Sequence, residues 1–278
     1  MIDPTKKNRR LLDALAGIAR DAGRAVLEVY GTEFTVTLKD DRSPLTEADK
    51  RAHAIIDAAL RRLDPTVPVL SEEAAPEQSK ERHSWQKFWL VDPLDGTKEF
   101  LKRNGEFTVN IALVIGQRAE LGVVLAPALD RLYFGALGLG AWRQDGQGLP
   151  EPIHVERTAR TPPRVVGSRS HESGALTDYL RALGPHTVTP MGSSLKICLI
   201  AEGAADLYPR LGPTSEWDTA AAQAILESAG GRMIDSAGQP LRYNSKDDLL
   251  NPHFLAFGDQ RQDWLAPIRS SRGREDRN

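Results

Sequence analysis

Phe88-Trp-Leu-Val-Asp-Pro-Leu-Asp-Gly-Thr97 is the stretch from which both the fold and the chemistry can be read outward. Its apolar start predicts a buried strand that delivers Asp92 at its end. Pro93 fixes φ, Asp95 follows, and Gly96 permits a sharp bend that leaves Thr97 and its neighbouring amides at a helix N-terminus. Two carboxylates at such a turn, with the Leu94 carbonyl between them, form an all-oxygen pocket. Oxygen donors select Mg²⁺ or Mn²⁺ over zinc or copper. Exposed helix-start amides suit a phosphate oxygen. Taken alone, the same residues also read as a solvated turn, because Asp, Pro and Gly are turn formers.

Other acids occupy comparable positions. Val69-Leu-Ser-Glu-Glu73 is a second strand ending in acid, so either Glu72 or Glu73 could complete a site. Ser215-Glu-Trp-Asp-Thr219 opens a helix with Asp218 in its first turn, where an acid also complements the helix dipole. Asp49, following the cap residue Thr46, reads equally as part of a first-turn capping arrangement.

Around these points the chain divides by rhythm. Leu11, Leu15, Ile18, Ala22, Val26 and Val29 predict an amphipathic helix, and Phe34, Val36 and Leu38 a short strand. Ser43-Pro44-Leu45 breaks that pattern before a second helix with Ala52, Ile55, Ile56, Ala59, Leu60 and Leu63 on one face. Apolar runs at Val67–Leu70, Phe88–Val91, Thr108–Ile115, Leu121–Leu125, Leu132–Phe134 and Ala141–Arg143 are separated by tight turns. They predict a largely antiparallel sheet. From Arg164 strands and helices alternate, with helices over about Gly174–Leu183, Ser194–Glu202 and Trp217–Ala229 and a last strand at Phe254–Phe257. The Pro- and Gly-rich stretch Gly146–Pro163 is the expected joint between subdomains 1–150 and 151–278, and frayed chain is expected from about Ser270.

With 278 residues the chain can bury a large core without staples. A balance of 36 basic against 38 acidic residues argues against nucleic acid or a membrane surface as the main partner. The single cysteine, Cys198, excludes an internal disulfide and suits a reducing compartment; its apolar surroundings predict a buried, inert thiol. No signal peptide or transmembrane run is expected, so the reading is cytoplasmic, as a monomer or homodimer.

Asp92-Pro-Leu-Asp-Gly-Thr97, with Ser71-Glu-Glu73 upstream and Glu216-Trp-Asp-Thr-Ala-Ala221 downstream, resembles the inositol monophosphatase superfamily. The string from Trp89 to Phe100, continuing through Arg103-Asn-Gly-Glu-Phe-Thr-Val-Asn110, is most similar to its CysQ-type 3'(2'),5'-bisphosphate nucleotidase branch. The likeness runs from the first helix to about Gly258. It implies an α/β (α+β) fold, a layered α-β-α-β-α sandwich of the inositol monophosphatase and fructose-bisphosphatase type. The polar segment between Glu73 and Phe88 departs from it and is read as a candidate lid.

By this resemblance Glu72, Asp92 and the Leu94 carbonyl hold one Mg²⁺, and Asp92, Asp95 and Asp218 a second. A third, weaker ion near Asp49 stays open, and Mn²⁺ is an acceptable substitute. Thr97 and Asp49 correspond to the pair that orients the attacking water, with no covalent phosphoenzyme. Ser193 and Lys196, in Gly192-Ser-Ser-Leu-Lys196, and Arg210 in Tyr208-Pro-Arg210 match the residues that grip the phosphate not cleaved. Ser168 and His171, in Gly167-Ser-Arg-Ser-His171, match the loop beside the adenosine. Glu72, Leu94, Asp95, Gly96, Thr97 and Asp218 complete the implied substrate contacts. The implied reaction is hydrolysis of adenosine 3',5'-bisphosphate to AMP and phosphate in sulfate assimilation, with 3'-phosphoadenylyl sulfate as a further substrate. Inhibition by lithium is implied, as is a possible peripheral place on the cytoplasmic face of the inner membrane.

Two rival readings remain: an inositol monophosphatase or fructose 1,6-bisphosphatase on the same fold, and a non-catalytic Mg²⁺–nucleotide binding module. Other phosphatase chemistries fail. Cys198 has no arginine at the spacing of a cysteine-phosphatase loop, and there is neither an Asp-x-Asp motif nor a Gly-Lys dipeptide for a P-loop.

Overall fold

A computed structural model describes residues 4–33, 36–38, 44–74, 81–168 and 173–275. The first half runs α1 (Pro4–Tyr30), β1 (Val36–Leu38), β2 (Pro44–Thr46), α2 (Glu47–Leu63), β3 (Val69–Ser71), β4 (Lys87–Asp95), α3 (Thr97–Leu101), β5 (Thr108–Ile115), β6 (Arg118–Ala126), β7 (Arg131–Ala136), β8 (Gly140–Asp145) and β9 (Glu151–Ile153). The second runs β10 (Arg164–Ser168), α4 (Gly174–Leu183), β11 (Thr187–Met191), α5 (Leu195–Ala201), β12 (Leu207–Arg210), α6 (Glu216–Ser228), β13 (Arg232–Asp235), β14 (Phe254–Phe257) and α7 (Ala266–Glu275).

Strands β3 to β9 form one sheet in sequence order, antiparallel except for the parallel pair β3–β4. The second sheet has the order β11-β10-β12-β14-β13, with β10 parallel to β11 and β12. Period-two alternation sorts the apolar residues of the first sheet between two layers. Val109, Ile111 and Val123 face Leu12, Leu15, Ala52 and Ile56 of α1 and α2. Ala112, Val114 and Val124 face Ile197 and Ile200 of α5, Ala221 and Ile225 of α6, and Val166 and Phe254 of the second sheet. On the far side of that sheet Val165, Leu207 and Leu255 meet Tyr179 of α4 and Ile268 of α7. The order of layers is α-β-α-β-α, as the resemblance implied.

The middle layer decides where α6 lies. A Cβ at Gly122 would sit 2.1 Å from the Ala221 carbonyl oxygen, so the backbone of α6 rests directly on β6. Any larger residue there would lift the helix, and Asp218 with it.

Three local expectations need correction, and one stretch holds a strand that was not expected. Pro44 and Leu45, expected within a break, belong with the cap residue Thr46 to a strand that pairs with β1. The joint Gly146–Pro163 contains β9, which closes the edge of the first sheet against β8. The chain expected to fray from Ser270 remains helical to Glu275. Leu63, expected on the buried face of α2, is exposed. Residues 75–80 of the expected lid lie outside the described residues. Beyond them Arg82 is buried and bonded to the loop that follows β13. Cys198 is fully buried, and burial pushes its thiol well up. Among the described residues no helix is long and apolar enough to cross a membrane.

Candidate active site

A break in register brings both aspartates of the quoted stretch to one side of the sheet. Asp92 pairs with Asn110 and Asp95 with Thr108, so β4 carries one residue more than β5 over this interval. The surplus is taken up as a bulge at Pro93, which has no amide to give to a ladder. Val91 before the bulge and Leu94 after it both lie in the α1–α2 core. Asp92 and Asp95 therefore share the opposite side, facing the middle layer. Gly96 follows with φ 90°, open to glycine, and a Cβ there would stand 3.3 Å from the Ser193 Cβ. The chain then turns into α3, with Thr97 as its first residue.

Hydrogen bonds fix each carboxylate. Asp92 Oδ1 accepts from the Leu94 amide at 3.0 Å. Asp95 Oδ2 accepts from the Ser194 amide at 2.7 Å and lies 2.8 Å from the Ser194 hydroxyl. That hydroxyl accepts from Asn110 Nδ2 at 2.8 Å and lies 2.7 Å from the Asp218 carbonyl oxygen. Asp218 Oδ2 accepts from the Ser215 amide at 2.9 Å, so Asp218 does cap its helix. Capping and convergence are not alternatives here. Oxygens of Asp92, Asp95 and Asp218 lie within 4.8 Å of one another.

Glu72 is seated beside β4 by its amide, which donates to the Val91 carbonyl at 3.2 Å, and its carboxylate shares a hydrogen bond with Asp92. The choice left open between Glu72 and Glu73 resolves accordingly: Glu72 lines the cavity and Glu73 is not among its described lining residues. Asp49 is buried, and its Oδ2 accepts from the Thr46 amide at 2.7 Å and hydroxyl at 2.6 Å, the capping arrangement read from sequence.

Burial, then the charges of Glu72, Asp95 and Asp218, push the Asp92 carboxyl well above the usual range. Burial and the Asp95 charge do the same to Asp218. Asp95 is also raised by burial, against the pull of Lys196 and of its hydrogen bonds from Ser194 and Asn110. Lys196 is itself buried, which brings its ammonium down to about 8 despite the attraction of Asp95. A cluster of like charges on hard oxygen donors, with Asp92 buried and Asp95 and Asp218 half-buried, is what a divalent cation neutralises, so the residues fit such an ion.

One cavity gathers Glu72, Asp92, Leu94, Asp95, Gly96, Thr97, Ser168, Ser193, Lys196, Arg210 and Asp218. Of the residues given a role by the resemblance, Asp49 and His171 are not among its described lining; His171 lies outside the described residues. Sequence reasoning passed over Ser194 and Asn110, which hold Asp95, and Tyr208 and Phe254, which line the cavity. The signal for Asn110 was available: a lone amide in the apolar strand Val109-Asn-Ile111. Nothing local marks Ser194.

The inositol monophosphatase family model matches residues 7–272. The chain belongs to this family. It is 52% identical over 246 residues to the 3'(2'),5'-bisphosphate nucleotidase CysQ of Escherichia coli strain K12, covering 88% of this chain and 98% of that protein. The solved structure of CysQ from Bacteroides thetaiotaomicron superposes with a TM-score of 0.79 at 42% identity, over 90% of this chain and 98% of the other. An inositol monophosphatase from Anabaena sp. PCC 7120 is more distant, with a TM-score of 0.72 and 26% identity over 94% and 96% of the two chains. The family is metal-dependent, and the Asp92, Asp95 and Asp218 cluster could hold a metal ion.

Proposed function

We propose that this chain is a Mg²⁺-dependent 3'(2'),5'-bisphosphate nucleotidase of sulfur assimilation. Its reaction is hydrolysis of adenosine 3',5'-bisphosphate to AMP and phosphate, with 3'-phosphoadenylyl sulfate as a second substrate. The observation that carries this reading is one cavity lined both by the carboxylate cluster and by the cations Lys196 and Arg210. A monophosphate needs only the first; a bisphosphate gives the second something to hold. Identity of 52% to a bisphosphate nucleotidase supports the same choice.

In this reading Glu72, Asp92 and the Leu94 carbonyl hold one Mg²⁺, and Asp92, Asp95 and Asp218 another. When bound, Mg²⁺ supplies Lewis-acid stabilisation of charge on the phosphoryl group and lowers the pKa of water. Lys196 and Arg210 bind the phosphate that stays, through charge-assisted hydrogen bonds. Arg210 Nε and Ser193 Oγ are buried and have no hydrogen-bond partner among the described residues, so both have hydrogen-bonding capacity to offer a ligand in this cavity. Ser168, in the cavity lining, and His171, by resemblance, are assigned to the nucleoside. Thr97 and Asp49 orient the attacking water; β2, which leads into the helix of Asp49, packs against α3, which begins at Thr97. The chain divides functionally at about residue 150, with Asp218, Lys196 and Arg210 brought to the other ligands by the second part. It works in the cytoplasm as a monomer or homodimer, and lithium inhibits it.

Phosphate release from adenosine 3',5'-bisphosphate and from inositol 1-phosphate, at equal Mg²⁺ and with chelator as control, tests the proposal. Faster turnover of the nucleotide, abolished by chelator, is expected. Faster inositol turnover overturns the substrate, and nucleotide binding without phosphate release overturns the enzyme.

A further inference from the structure

Helix α6 is apolar on most sides, yet Glu216, Thr219 and Gln223 are buried in it, none more than 2% exposed. Their spacing sets them along one face of the helix, and all meet the same two residues. The Asn244 amide donates to Glu216 Oε2 at 2.7 Å. The Tyr243 hydroxyl lies 3.3 Å from Thr219 Oγ1 and donates to Gln223 Oε1. Asn244 has φ 54°, and its side chain engages Arg82 in both directions. Arg82 Nη1 donates to Asn244 Oδ1 at 2.5 Å, and Asn244 Nδ2 donates to the Arg82 carbonyl at 2.5 Å. Arg82 is 3% exposed, and its Nη2 also donates to the carbonyls of Lys246, at 2.9 Å, and Asp247. It opens the short turn Arg82–Ser84, which runs into β4.

Apolar side chains of similar volume would stabilise the same core as well or better, so a buried polar stripe has to be understood through placement. Contact with Gly122 sets how close α6 comes to the sheet. Contact of that kind does little to resist rotation or sliding, and one residue of slip is about 1.5 Å along the axis and 100° around it. Directional hydrogen bonds to three positions on one face do resist both.

We propose that Tyr243 and Asn244 form a positioning latch for the metal site. The latch holds α6, which carries Asp218, in register against the lead-in to β4, which carries Asp92 and Asp95. The inference rests on the metal-binding reading of the carboxylate cluster, and neither Tyr243 nor Asn244 is among the described lining of the cavity.

Asn244→Gly keeps the left-handed turn and removes both side-chain bonds to Arg82. Calorimetric titration of the metal-free full-length chain with Mg²⁺ should show affinity weakened about tenfold, with turnover at saturating Mg²⁺ within about threefold of wild type. Arg82→Lys, whose single ammonium cannot span the same acceptors, should weaken Mg²⁺ binding about threefold and serves if the glycine variant does not fold. Glu216→Gln retains the acceptor for the Asn244 amide and should bind Mg²⁺ as wild type does. Tyr179→Phe loses a buried hydrogen bond to the Trp264 carbonyl, 2.8 Å long and in the outer layer. It should lower Tm and leave Mg²⁺ affinity unchanged. Unchanged affinity in Asn244→Gly or, failing that, in Arg82→Lys overturns the latch, as does equal weakening in Tyr179→Phe. A wild-type chain that takes up no Mg²⁺ overturns the functional reading beneath it.

Discussion

Asp218→Asn should make the metal-free protein more stable at neutral pH while removing its response to Mg²⁺. Burial and the Asp95 charge hold the folded-state carboxyl of Asp218 well above the ordinary aspartate value of 3.8. As pH rises past that unfolded value, the unfolded chain loses its proton first, so stability falls until the folded group ionises as well. Asparagine escapes this loss and can still accept from the Ser215 amide through its side-chain oxygen. With cluster oxygens within 4.8 Å, one pair of full charges repels by about 3.5 kcal/mol at an effective dielectric of about 20. Protonation already relieves part of that, so the expected gain is about 2 kcal/mol, or roughly 6 °C in Tm for a chain of this size. Thermal unfolding in chelator should place the variant about 6 °C above wild type near pH 7.5, and the gap should close towards about pH 4. Adding Mg²⁺ should raise Tm of the wild type alone. A variant no more stable than wild type near neutrality, or a gap equal at both pH values, would refute the reasoning.

Asp95→Ala should leave far-UV circular dichroism unchanged and lower kcat at least about 10³-fold, roughly 4 kcal/mol of transition-state stabilisation. Lys196→Ala should chiefly raise KM for the bisphosphate and affect a monophosphate less, as steady-state kinetics on both would show. Asp206→Ala should destabilise by about 3 kcal/mol in urea unfolding, because Arg164, which donates to it at 2.7 and 3.0 Å, would be left unpaired where it is largely buried. Burial works against its charge, but the Arg164 bonds outweigh this and hold its carboxyl below 3.8. The stabilisation is therefore complete above that unfolded value and is lost as pH falls through the folded one. The wild-type advantage over Asp206→Ala should shrink correspondingly in acid.

Elements with unbroken patterns were legible in the sequence. Thr108–Ile115, Gly174–Leu183 and Phe254–Phe257 keep the bounds their patterns predict. The short strands β2 and β9 were not, since each contains a proline that reads as a breaker. Both lie where proline is tolerated, β2 in a two-stranded ribbon and β9 at a sheet edge. Helix α7 was hidden by its charged composition; Ile268 packs against the outer core and Pro267 is buried. Asp92, expected at the end of its strand, lies inside β4 at the bulge. The acids of the site were legible because Glu72 and Asp95 stand at strand ends and Asp218 at a helix start. The groups that aim them were not. Ser194 reaches Asp95, and Asn244 reaches Arg82, across distances in sequence that no local pattern encodes.

The bulge in β4 sets Pro93 and Leu94 outside the paired register with β5, and the Leu94 oxygen accepts from the Thr97 hydroxyl at 3.4 Å. Of the ligands proposed for Mg²⁺, the Leu94 oxygen alone is written in no side chain. Exchanging Leu94 for isoleucine or methionine would alter its fit in the α1–α2 core and keep the donor. A substitution survey would then record position 94 as packing and nothing more, while a chemical group stayed on duty beneath every variant that folds.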